Sequence, residues 1–381
     1  MPIIVKASVL FSLLLSLPGQ AGTVQACSTF LLKRSDALLV GHNLDQPNIP
    51  MQPGMVVVNK RGFEKEARTW LDLTSNEKPG KRLRWVSKYG SITCNAMGRE
   101  FPDGGMNEAG LVLCEMTLPG TRFPKGDDIQ QMFLVQWIQY LLDTCGSVDQ
   151  AVANAENIAL TGWQNAWHFF VADAAGRAAV IEFLDEKPVI YTGVSLPVPA
   201  LCNSTYAEEL KRLQAHNGFG GRKRVSKSDR DPRFVLAAQM LKNDNSSQPP
   251  VEYGFSILDR LSISCTQWSI LYDIANQRVH FRTSAARDIR CLSFSACDFS
   301  GDTPAMAIDM NADLKGDIKA EMQPCTAGMN RTFVSQDIER ISQMSPWLVQ
   351  MLTLQGITQE IFIDRLATYP ETTRIQSKIT K

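Results

Sequence analysis

Val24-Gln25-Ala26-Cys27-Ser28-Thr29-Phe30-Leu31-Leu32 is the stretch on which the reading of this chain turns. Its first three residues have the small-x-small form of a secretory cleavage site. Upstream, Lys6 is the only charge among the first 26 residues, an apolar run spans Val9 to Leu17, and Pro18-Gly19 break it. The run is too short to cross a bilayer. Residues 1–26 therefore read as a signal peptide, and the protein as exported, periplasmic or secreted. Cleavage after Ala26 would leave 355 of the 381 residues, beginning at Cys27.

A cysteine at that junction has three readings. It can simply open a buried strand. It can carry a lipid that anchors a non-catalytic binding protein; Val24 and Ala26 suit this, whereas Gln25 and the polar stretch Gly19–Gln25 do not. Or it can be a nucleophile whose general base is its own α-amine. A thiol with a pKa near about 8.5 holds little thiolate at neutral pH. An α-amine, at about 7.7–8.0, can take the thiol proton and later return it to a leaving amine.

Downstream, Ser28–Lys33 and Ala37–Leu44 read as two strands of a hairpin across Ser35-Asp36. Further strands are expected at Met55–Asn59, Leu83–Lys88 and Leu111–Met116. Apolar residues at helical spacing predict a helix over Asp128–Asp143, and Ser147 opens another that runs to about Ile158. Trp167–Ala172 with Ala178–Leu184, and Trp268–Asp273 with Arg278–Thr283, read as hairpins. Thr205 caps a helix ended by Asn217-Gly218. Asp231-Pro232 launches one to about Leu241, with Pro at its first position. Asn217–Arg230 and Asn243–Pro250 read as loops. Strands, then helices, then strands, joined by hairpins, favour an α+β fold with antiparallel sheets. From about residue 324 the pattern is helical again, with helices near Gln336–Met344 and Gln359–Leu366 wrapping the main body. Residues 27–381 thus read as a single domain.

Composition narrows the function. Lys and Arg number 39, as do Asp and Glu, so the net charge near zero argues against nucleic acid or an anionic membrane as partner. With 44% hydrophobic and 20% charged residues the chain is globular rather than disordered. No Cys-x-x-Cys or His-Glu-x-x-His run suggests a metal, and Gly218-Phe-Gly-Gly221 follows no strand, so no nucleotide cofactor is expected. A papain-type protease needs a distant His, but none of His42, His168, His216 and His280 has a protease-like context. Besides Cys27 there are eight cysteines, an even number that allows disulfides in an oxidising compartment, Cys291 and Cys297 being nearest in sequence. Cys114 and Cys202 lie in apolar strand contexts that suit buried thiols equally well.

Several segments, in order, resemble the choloylglycine hydrolases, which include bile salt hydrolases and penicillin V acylases. Cys27-Ser-Thr-Phe30 looks like the family's processed start, and Gly41-His42-Asn43-Leu44-Asp45 like its Gly-Arg-Asn-x-Asp segment. Gly105-Met-Asn-Glu-Ala-Gly-Leu111 is similar to its Gly-Met-Asn-Glu-x-Gly-Leu, Cys202-Asn203-Ser204 to its Thr-Asn-Ser, and Pro232-Arg233-Phe234 to its Ser-Arg-Phe. Ala307–Asn311 sits where the family sheet ends. The likeness covers about residues 27–315.

The resemblance implies a four-layer αββα N-terminal-nucleophile hydrolase sandwich that cuts a linear amide of an apolar acyl group, often as a homotetramer. Bile salt conjugates, penicillin V and N-acyl homoserine lactones are the substrate types it suggests. Cys27 would be the nucleophile and, through its amine, the base; Asp45 would hold that amine. Asn203 would donate to the oxyanion, and Arg233 would lower the thiol pKa. Each has a plainer reading: a strand-end carboxylate, a turn or cap Asn, a surface Arg. An Arg in a first helical turn opposes the helix dipole and needs a reason. His42 stands where the family has Arg, and Thr117 where many members have Asn or Tyr. His42 is either a site residue or a histidine packed beside the strand. Thr117 could still lend a backbone N–H to the oxyanion site.

Overall fold

The hairpin that opens the chain has a tight register. Lys33 pairs with Leu38 and Ser28 with Asn43. Side chains on paired strands meet on one face, and here the ring of Phe30 closes on Gly41. A Cβ at position 41 would come within 2.3 Å of that ring, so the close approach requires glycine.

This computed structural model describes residues 27–46, 52–76, 82–125, 129–162, 166–225, 232–244, 247–344, 346–372 and 374–375. The expected signal peptide, Asp128 and Asp231 lie outside them. The opening hairpin forms part of a seven-stranded sheet. Its order is Ala200–Leu201, Ser28–Lys33, Leu38–Asp45, Thr266–Asp273, Arg278–Thr283, Arg290–Ser293 and Gly316–Asp317. Only the last pair is parallel.

A second sheet of nine antiparallel strands faces it. Its middle is built from Trp167–Ala172, Val112–Thr117, Gly104–Asn107, Ser91–Asn95 and Met55–Asn59. Apolar residues of both sheets share one core, with Val40, Ile270 and Tyr272 from the first and Cys94, Met106, Cys114 and Phe170 from the second. Helices Arg233–Lys242 and Pro250–Leu261 cover the outside of the first sheet. Helix Leu134–Thr144 lies on the second. The architecture is therefore a four-layer αββα sandwich of the α+β class.

The C-terminal segment contains helices Ala327–Met344, Trp347–Leu354 and Gln359–Ala367. Val334, Ile338, Phe362 and Leu366 bury against Phe133, Trp137 and Leu142 on the outside of the second sheet. No helix among the described residues is long and apolar enough to cross a membrane.

Some expectations shift. The helix expected over Asp128–Asp143 begins only at Leu134, because Gln130–Phe133 pairs as a strand with Ile158–Thr161. A short apolar run fits either period, and here a strand partner decides. The same pairing ends the Ser147-capped helix at Ala155. Pro232 precedes the Arg233 helix instead of opening it. Pro250–Leu261, next to an expected loop, forms a full helix. All nine cysteines are free thiols, with Cys265, Cys291 and Cys297 partly exposed and the other six buried.

Candidate active site

Cys27 heads the second strand of the seven-stranded sheet and is 1% exposed. The pairing of Ser28 with Asn43 places Leu44 opposite Cys27, with Asp45 one residue further on. On the other side, Thr29 pairs with Leu201. Carrying that register two residues further brings Asn203 alongside Cys27. The antiparallel ladder thus gathers three segments that are distant in sequence at one end of the sandwich.

Arg233 ties them together from the helix layer. Its Nη1 donates to the Cys27 carbonyl at 2.8 Å and lies 3.3 Å from Asp45 Oδ2. Its Nη2 donates to Asn203 Oδ1 at 3.0 Å. Three acceptors on one guanidinium fork supply the reason for an arginine at the first helical residue. Cys27, Asp45, Asn203 and Arg233 therefore form one contact group.

Asn203 is held at both ends of its amide. Its Nδ2 donates to the Thr117 carbonyl at 2.7 Å. An amide nitrogen carries two N–H groups, so Thr117 takes one of them. Thr117 thus enters the site through its carbonyl, as a support for Asn203. Asn43 serves the scaffold instead, donating to the Leu258 carbonyl and accepting from Ser269.

The electrostatics follow from burial. Burial pushes the Cys27 thiol well above its ordinary value; the Glu115 and Asp45 carboxylates add to this, and the Asp45 backbone N–H and Arg233 offset part of it. Asp45 is fully buried, which raises its carboxyl to about 7 against the opposing pull of Thr266 and Arg233. The Thr266 hydroxyl donates to Asp45 Oδ1.

His42 lies on the strand opposite Thr29, two residues deeper than Cys27, with Nδ1 2.8 Å from Thr29 Oγ1. Burial lowers its pKa to about 3, so the imidazole is neutral at pH 7. Its Nε2 has no hydrogen-bond partner among the described residues. With that ring neutral, the cation in contact with this group among the described residues is Arg233.

Sequence reasoning missed Thr266 and Glu115. Thr266 acts on Asp45 from 221 residues away. Glu115 is buried, its Oε2 without a partner among the described residues, and burial holds its carboxyl well above the usual range. Neither has a local sequence signal.

Residues 27–235 match the sequence model of the linear amide C–N hydrolases of the choloylglycine hydrolase family. The match starts at Cys27 and ends two residues beyond Arg233. A penicillin V acylase from Pectobacterium atrosepticum is 25% identical over 263 residues, covering 57% of this chain and 69% of that protein. In fold the chain is similar to the penicillin V acylase of Agrobacterium tumefaciens, with TM-score 0.66 and 21% identity over 79% of this chain and 98% of that one. It is also similar to a mutant of the conjugated bile acid hydrolase of Clostridium perfringens. There the TM-score is 0.58 and the identity 17%, over 76% of this chain and 98% of that one.

Proposed function

The chain belongs to the choloylglycine hydrolase family and is a linear amide C–N hydrolase; from that premise we propose that it is an exported acylase working through a Cys27 thioester. The observation that carries this reading is the Arg233 fork, which joins Cys27, Asp45 and the proposed oxyanion donor Asn203.

Burial keeps the thiol protonated at neutral pH, and Arg233 does not overcome that. A base is therefore needed beside the sulfur. Removal of residues 1–26 would supply one, the α-amine of Cys27, and Asp45, which shares Arg233 with Cys27, would hold it. The new ammonium would in turn draw the Asp45 carboxyl down from about 7. The uncut chain is thus a latent form.

In the reaction, the amine takes the thiol proton and the sulfur attacks the amide carbon. Asn203 Nδ2, with a backbone N–H, holds the oxyanion. The C–N bond breaks as the ammonium returns its proton to the leaving nitrogen. The same amine then activates water, which cleaves the thioester and frees the acid.

The acyl group is apolar. Two similar proteins are named penicillin V acylases, so phenoxyacetyl amides come first, followed by bile salt conjugates and N-acyl homoserine lactones. The test is a screen of these three classes for released amine. Activity on at least one, lost in Cys27→Ala, is expected. Full activity in both Cys27→Ser and Cys27→Ala would remove the nucleophile. A lipid adduct on residue 27 would replace the acylase with an anchored binding protein.

A further inference from the structure

His168 and Glu182 are both fully buried, yet neither belongs to the Arg233 contact group. They sit on adjacent strands of the nine-stranded sheet. Phe169 pairs with Ile181, which sets His168 opposite Glu182. Their neighbours on the same face, Phe170 and Val180, belong to the core between the sheets. The pair therefore points toward the other sheet, where Cys202-Asn203 leaves its edge strand.

His168 Nε2 lies 2.6 Å from the Cys202 carbonyl. A carbonyl only accepts, so Nε2 is the donor in this bond. Nδ1 faces Glu182 Oε1 at 3.2 Å. The same oxygen accepts the backbone N–H of Tyr206 at 2.7 Å, at the first residue of the following helix. One imidazole–carboxylate pair thus fixes both ends of the segment Cys202–Tyr206. Asn203 lies inside that segment, with its side chain already held by Thr117 and Arg233.

Two fully buried titratable side chains are an expensive way to fill a core, since apolar residues of the same volume pack there at lower cost. What they do that apolar residues cannot is fix the direction of a carbonyl and a helix start. We propose that His168 and Glu182 are positioning residues that aim Asn203 at the oxyanion. This rests on the reading of Asn203 as the oxyanion donor. Such a donor works at 2.7–3.1 Å from the oxygen, and a misplacement of about 1 Å can cost about 100-fold in rate.

The test compares mature enzymes carrying His168→Phe, His168→Gln, Glu182→Gln and Asn203→Ala. Active sites are counted from the amine burst, and kcat is expressed per counted site. Misfolding then lowers the number of sites, whereas mispositioning lowers the rate at each. His168→Phe fills the space without the donor and should lower kcat per site roughly 10- to 100-fold, with KM within about twofold. His168→Gln keeps an amide N–H for the Cys202 carbonyl and should recover a large part of that loss. Glu182→Gln keeps an acceptor for Tyr206 and should fall between the two. If His168→Phe and Glu182→Gln leave kcat per site unchanged while Asn203→Ala lowers it, the pair is only structural and the proposal fails. If Asn203→Ala also leaves it unchanged, what fails is the oxyanion assignment beneath it.

Discussion

Replacing Arg233 with methionine tests how the site controls its own charge. Met retains the apolar stem and removes the guanidinium from the Cys27 carbonyl, Asp45 and Asn203. Losing the bonds to the carbonyl and to Asn203 should cost about 1–3 kcal/mol at any pH. The loss at Asp45 depends on pH. Its carboxyl sits at about 7 in the fold, against an ordinary value of 3.8. Between those values the folded chain holds a proton that the unfolded chain releases. Wild-type stability therefore falls as pH rises through that window, by about 1.4 kcal/mol per unit, and levels off above 7. Without Arg233 the carboxyl is pushed higher still, so the fall continues. The extra penalty is nil at pH 5 and grows above pH 7, by at most about 1.4 kcal/mol per unit, until the variant's own carboxyl ionises. Urea denaturation of both proteins at pH 5 and pH 9 measures it. The comparison uses chains in which Cys27 stays joined to Ala26, so that no α-amine competes for Asp45. An equal stability gap at the two pH values would refute the pairing of Arg233 with Asp45.

Three further outcomes follow from the same geometry. Asn203→Ala should lower kcat about 100- to 1,000-fold with little change in KM; steady-state kinetics check this, and a change confined to KM would assign Asn203 to binding. His42→Met removes an imidazole whose pKa of about 3 makes the fold lose stability as pH drops below about 6.5. Between pH 7 and pH 4.5 the variant should therefore lose roughly 3 kcal/mol less than wild type in urea titrations, and parallel losses would contradict a buried neutral ring. Gly41→Ala drives a Cβ into the Phe30 ring and should destabilise by about 1–3 kcal/mol. Adding Phe30→Leu should recover part of it, as a double-mutant cycle would show.

What could be read in the sequence was whatever local pattern encodes. The opening hairpin follows from two β-rich runs joined by a turn, and Thr205 with Glu208 forms its capping box as spaced. Arg233 stood out because it opposes its own helix dipole, and the structure supplies the three acceptors that account for it. Helix Pro250–Leu261 was readable, with Gly254, Ile257, Leu258 and Leu261 buried at helical spacing, but the loop-rich stretch before it obscured the signal. Strand Gln130–Phe133 was hidden inside a helical pattern, since four residues cannot separate the two periods. Thr266, and the His168–Glu182 pair, act through partners brought near only by sheet register. Such long-range pairing leaves no trace in a local window. His42 was visible as a departure from the family pattern, but its neutrality comes from burial between the sheets.

In the proposed mechanism the free N-terminal Cys27 carries the acyl group during turnover. Intact mass of the enzyme, acid-quenched while it hydrolyses a phenoxyacetyl amide, tests this most directly. The expected species is a chain that begins at Cys27 and carries one acyl group on that residue, removable by hydroxylamine as a thioester is. Full turnover by a chain still bearing Ala26, or an acyl group on any other residue, would contradict it.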